Sequence, residues 1–106
     1  MSTLDSVPIC FDKIYAYLLR KHGDKDFSIN EQNDYKYNYQ MLLCDWDEYH
    51  LAVIFYPTIR EYNVWLENNY WIFGRQQTIG TKFWEKRNFK CEDDILDYIR
   101  PKMRKR

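Results

Sequence analysis

Six apolar residues in a row, Leu51, Ala52, Val53, Ile54, Phe55 and Tyr56, constrain this chain more than any other feature. The run shows neither a helical nor an alternating period and is far shorter than the roughly 20 residues that cross a bilayer. Pro57 closes it with a residue that cannot donate to a strand ladder. Such a run predicts a strand covered on both faces and lying centrally in a sheet. Immediately before it, Asp45, Asp47 and Glu48 surround Trp46, and these acids read as the soluble turn of a hairpin feeding the central strand.

On both sides of that strand the sequence alternates. Tyr35, Tyr37, Tyr39, Met41 and Leu43 interleave with Lys36, Asn38 and Gln40, the two-residue period of a strand with one wet face. Beyond a turn through Thr58 and Ile59, Tyr62, Val64 and Leu66 point one way, and Glu61, Asn63, Trp65 and Glu67 the other. Asn68 and Asn69 tolerate positive φ and predict a tight hairpin into a further strand, Tyr70 to Phe73, ended by Gly74. Ile79, Thr81 and Phe83 alternate with Gly80, Lys82 and Trp84, a short edge strand whose lysines discourage further pairing.

Helices flank these strands. Phe11, Ile14, Tyr15 and Leu18 share one helical face, and Ser6, Pro8 and Gly23 supply an N-cap, a first-turn proline and a terminator, so a helix is predicted over about residues 7 to 22. His22 lies in its last turn, where the helix dipole favours positive charge. The polar stretch from Gly23 to Asp34 reads as a loop, with Ser28 and Glu31 at capping-box spacing for a single helical turn. At the other end, Glu92, Asp93 and Asp94 open a helix with an Ile95, Leu96, Ile99 stripe, favoured at its close by Arg100, Lys102 and Arg104. Pro101 ends it and leaves a frayed basic tail. The predicted fold is α+β: an antiparallel meander of four or five strands flanked by an N-terminal and a C-terminal helix, in two layers.

A length of 106 residues fits one domain, residues 1–106, and 45% hydrophobic content is enough to fold it. Met1 to Pro8 has neither the charged start nor the apolar centre of a signal peptide, so the expected compartment is the cytoplasm. Cys10, Cys44 and Cys91 are odd in number and widely spaced, which argues against a disulfide framework or a zinc knuckle; each reads as a small buried hydrophobe.

Catalytic signatures are missing. There is no G-x-S-x-G, no H-E-x-x-H and no glycine-rich phosphate loop, the three glycines being scattered at 23, 74 and 80. Asp45, Asp47, Glu48 and His50 have the donor types of a divalent-metal site, but carboxylates at a turn read more simply as a solvated hairpin cap. The expectation is a protein with no metal or cofactor, and not an enzyme.

Charge placement carries more than charge total. The net charge is zero, yet residues 31–67 hold seven acids and two bases, whereas residues 68–90 hold five bases and one acid. Aromatics lie among those acids, giving a candidate partner-binding set of Asp45, Trp46, Asp47, Glu48, Tyr49, Glu61, Tyr62, Trp65 and Glu67. Trp65 is the most telling, since its alternation places it with Glu61 and Glu67 on a wet face. The basic segment offers a second reading, nucleic-acid binding through Arg75, Lys82, Trp84, Lys86, Arg87 and Lys90 with the tail KMRKR. A sequence pI near 6.7 and the acidic half oppose it.

In size, α+β layout and lack of a catalytic signature, the chain resembles bacterial toxin-neutralising immunity proteins, including those of contact-dependent growth inhibition systems. That resemblance implies a small cytoplasmic inhibitor whose partner is a cognate toxin, a nuclease for choice because phosphate-binding sites are cationic. The acidic, aromatic surface would cover the toxin's active site. No membrane contact is expected, and the protein would be a monomer or weak dimer, with the edge near Lys82 open to strand addition.

Overall fold

The computed structural model describes residues 7–23, 26–33, 38–45, 49–72 and 78–103. A short 3-10 turn, Ile9–Phe11, leads into helix α1, Asp12–His22. Five strands follow, β1 (Asp26–Asn33), β2 (Asn38–Asp45), β3 (Tyr49–Tyr56), β4 (Glu61–Ile72) and β5 (Thr78–Phe89), and helix α2 (Glu92–Ile99) comes last. The strands form one antiparallel sheet in the order β1-β2-β3-β4-β5, a meander with β3 at its centre. The apolar run Leu51–Tyr56 is therefore the middle strand, as its character requires.

Both helices lie on one face of this sheet. Phe11, Ile14 and Leu18 from the N-terminal segment and Ile95, Leu96, Ile99 and Met103 from the C-terminal one are buried against Leu42, Cys44, Tyr49, Leu51, Val53, Tyr62, Val64, Leu66 and Phe89. Burying a side chain of this kind contributes about 1.5–3 kcal/mol, so the layer supplies most of the stability. Tyr15 meets Phe27 edge-on at 4.8 Å and ties α1 to β1. The Tyr62 hydroxyl donates to the Cys10 carbonyl at 2.7 Å and ties the N-terminal turn to β4.

One contact joins the helices directly. The N-cap residue of α1, Phe11, has no side chain able to cap, and α2 fills the vacancy. The Ile14 N–H donates to the Glu92 carboxylate at 2.8 Å, with the Lys13 N–H contributing, and Lys13 pairs with Asp93 at 3.5 Å. The first turn of the last helix thus satisfies orphan donors of the first.

Several expectations need correction. Residues 26–33 form an edge strand and not a loop, because Phe27 and Ile29 supply a short alternation and β2 takes up their backbone hydrogen bonds along the whole length. In β2 the core-facing residues are Leu42 and Cys44, opposite Val53 and Leu51, so the more apolar-looking set Tyr39, Met41 and Leu43 lies on the other face. Asn68 and Asn69 make no hairpin: β4 runs straight through them, since β5 is long enough to pair with every residue to Ile72. Positive φ is found instead at Arg60, in the Pro57–Arg60 turn, and at Asn88, beside the β4–β5 bulge. Beyond Asn68, β4 continues paired with β5 as far as Ile72.

Two further differences concern burial. The described helices cover central strand β3 on one face; on the other, Ala52 is shielded by its lateral neighbours. Cys44 is buried as expected, but Cys10 is half-buried and Cys91 exposed, because Cys91 is the extended residue that starts α2. Met103 is fully buried, so the chain stays packed past Pro101; Arg104 and the rest of the basic tail lie outside the described residues, as do Ser6, Tyr35 to Tyr37, Phe73 and Gly74.

Two measurements check this arrangement. In urea unfolding, L42A should cost about 2–5 kcal/mol and L43A less than half as much, the reverse of what the apolar alternation of β2 implies. Burial raises the Glu92 carboxyl above the ordinary range, outweighing the backbone N–H groups that lower it. The folded chain therefore holds that proton more tightly than the unfolded one, and this contribution to stability is full below the ordinary carboxylate range and lost as pH rises through the raised value. E92Q keeps an acceptor for Ile14 without the charge. Its stability relative to wild type should rise between about pH 4 and pH 7, and a flat difference would remove Glu92 from this role.

Candidate functional site: the uncovered face of the sheet

Alternation sends every second side chain to the face without helices, and the strand register arranges these into rows. In one row Asp45 stands opposite His50, and His50 opposite Glu67, which faces Phe83. The next row runs Ser28, Leu43, Ala52, Trp65 and Glu85. A third contains Asn30, Met41, Ile54 and Asn63, and a fourth contains Tyr39, Tyr56 and Glu61, with the two tyrosine rings 6.3 Å apart. An apolar centre thus lies between polar ends.

The centre is not flat. Ala52 contributes one methyl between the larger Leu43 and Trp65, and the result is a depression of about 270 Å³ bordered by Ser28, Asp45, His50 and Glu67. Trp65 stands on its rim and remains 51% exposed, and Phe83 on the edge strand is 68% exposed. Large aromatics left in water on one face, ringed by acids, are what a docking surface offers.

The predicted partner-binding residues divide. Asp45, Glu61, Trp65 and Glu67 share the open face. Tyr49 and Tyr62 do not: they are 2% and 6% exposed, because they fall on the core parity of β3 and β4. Tyr62 packs against Phe55 at 4.7 Å, and burial raises its hydroxyl pKa. Both are core residues. Trp46, Asp47 and Glu48 lie outside the described residues, and with them most of the donor set considered for a metal. What is described of it is Asp45 and His50, whose carboxylate and imidazole meet across β2 and β3. No group of three or more metal-ligand side chains occurs among the described residues.

The basic set is also divided. Lys82, Trp84 and Lys86 share the parity of the helical face, with Trp84 partly buried against the core, while Arg87 falls on the open face with Glu85 as its partner. Lys86 lies over the rings of Phe89 and Tyr98, at 5.2 and 5.5 Å, and Lys90 is paired with Glu61. Lys86, Arg87 and Lys90 are thus engaged within the fold, and the depression that Lys86 and Lys90 share also holds Asp94 and Asp97. Arg75 lies outside the described residues.

Phe83, Leu43 and Ala52 belong to the site but were not marked by the sequence. Phe83 has a signal in hindsight, the Phe83, Glu85, Arg87 alternation of an edge strand, whereas the depression at Ala52 depends on register across three strands. No protein-family model, curated protein or solved structure matches the chain. No helix among the described residues is long and apolar enough to cross a membrane.

Trp65 should be nearly dispensable for folding. W65A is expected to cost about 1 kcal/mol or less in chemical unfolding, against the roughly 3–5 kcal/mol of a core tryptophan. Y62F, which removes only the hydroxyl bonded to Cys10, should cost about as much despite its smaller change.

Proposed function

We propose that the chain is a protein-binding inhibitor, an immunity protein that neutralises a cognate toxin by laying its uncovered sheet face over the toxin's active site. The observation that carries this reading is Trp65, half-exposed on a sheet face that no helix among the described residues covers. A tryptophan there gives the fold little, and tryptophan is the residue most enriched where protein interfaces concentrate their binding energy.

Electrostatics supports the same reading and the kind of target. Glu85 and Glu61 on this face have cationic partners within the chain, Arg87 and Lys90, whereas Glu67 has no ion-pair partner among the described residues. With Asp45 it leaves one end of the face acidic. An acidic rim steers association with a basic surface, and nuclease active sites must be basic to hold phosphate. The reading implies action in the cytoplasm, without a cofactor and without catalysis.

The test is affinity capture by tagged wild-type protein, W65A and E67K from the source cells, with and without added nuclease. Wild type should retain one protein in about equal amount, surviving nuclease and weakened by salt. W65A should lose about 2 kcal/mol of binding, roughly thirtyfold, with folding intact, and E67K should slow association at low salt. Retention of nucleic acid that disappears on nuclease treatment would overturn the reading in favour of a nucleic-acid-binding protein.

A further inference from the structure

The depression at Ala52 has two kinds of wall. Its floor and sides are apolar, the Ala52 methyl, Leu43 and Trp65. One end is polar, formed by the neighbouring row in which Asp45, His50 and Glu67 lie side by side across three strands. Adjacent rows on one face are two residues apart along the strand, about 6.8 Å. A side chain entering over Ala52 would therefore run along apolar surface for about the reach of a long side chain before meeting the row of carboxylates.

The charges there are unbalanced. Among the described residues no lysine or arginine lines the depression. Asp45 is held to His50, and Glu67 is left for an incoming group. An apolar side chain filling the space would strip water from Glu67 without replacing it, and an acidic one would be repelled.

We infer that this depression receives an arginine of the partner, its stem on Ala52 and Leu43 and its guanidinium stacked on Trp65 and forked onto the Glu67 carboxylate. Arginine is favoured over lysine because a planar, weakly hydrated guanidinium both stacks on an indole and pairs with a carboxylate through two N–H groups. The inference rests on the reading of this face as the docking surface and adds the residue that anchors there.

The test needs no knowledge of the partner. Isotopically labelled full-length protein is titrated at low salt with N-acetyl-arginine N-methylamide, with its citrulline counterpart of the same shape and no charge, and with the norleucine counterpart. The arginine derivative should shift the Ala52 methyl and Trp65 indole resonances with an affinity at least about tenfold above citrulline. E67Q should abolish that preference, and A52L, which fills the depression, should abolish the shift of the Trp65 indole while keeping the wild-type melting temperature. Equal responses to citrulline or norleucine, an arginine preference that survives E67Q, or no shift at either residue up to the solubility limit would overturn the arginine site. Failure of the docking reading is recognised separately. A captured partner lost by W65A but kept by both E67Q and A52L removes the arginine site alone, and one kept by W65A removes the docking surface as well.

Discussion

The Glu92 carboxylate holds two helices from opposite ends of the sequence side by side, and much else depends on that pairing. Helix α1 begins at Asp12 behind a phenylalanine that cannot cap it, so its exposed N–H groups require an acceptor from elsewhere. Glu92 meets that need from the far side of five strands, and in doing so sets α2 against α1 on one face of the sheet. A meander of 8- to 12-residue strands has more area than one helical layer of 11 and 8 residues, on a single side, can cover. The bare face is the geometric result.

That face shows why a period is easier to read than its phase. The Leu51–Tyr56 run, the acids opening α2 and the Tyr62, Val64, Leu66 set were legible because each signal is local and strong. Phase in β2 was not. Tyr39, Met41 and Leu43 look like a core set in isolation, yet Leu42 and Cys44 take the core because they lie across from Val53 and Leu51, a fact about pairing and not about β2. Tyr49 and Tyr62 were assigned to the surface for the aromatic and acidic company they keep in sequence, although alternation separates them from those neighbours in space. For Trp65 the same alternation gave the correct face, since Val64 and Leu66 beside it are unambiguous.

Polar composition misled in two places. DFSINEQN has only Phe27 and Ile29 to mark it as a strand, and an edge strand needs little more when a neighbour supplies its hydrogen bonds. Asn68 and Asn69 carry a turn signal that the unbroken β5 partner overrides. The stretch just past Pro101 is packed although its composition is basic. Lys102 lies 3.9 Å from the Tyr98 ring centre and donates to the Tyr98 carbonyl, beside the buried Met103.

The single methyl at residue 52 has a wider consequence. Since strand parity keeps the helix-covered residues apart from the bare ones, the floor, rim and charged end of the depression can be exchanged with little demand on the core beneath. A bulkier residue at 52, another aromatic at 65 or a reversed charge at 67 would each alter what the surface accepts while Val53, Val64 and Leu66 kept the same neighbours. On the docking reading proposed above, the scaffold is suited to divergence, in which descendants of one fold acquire mutually exclusive partners through a few substitutions on one side of a sheet.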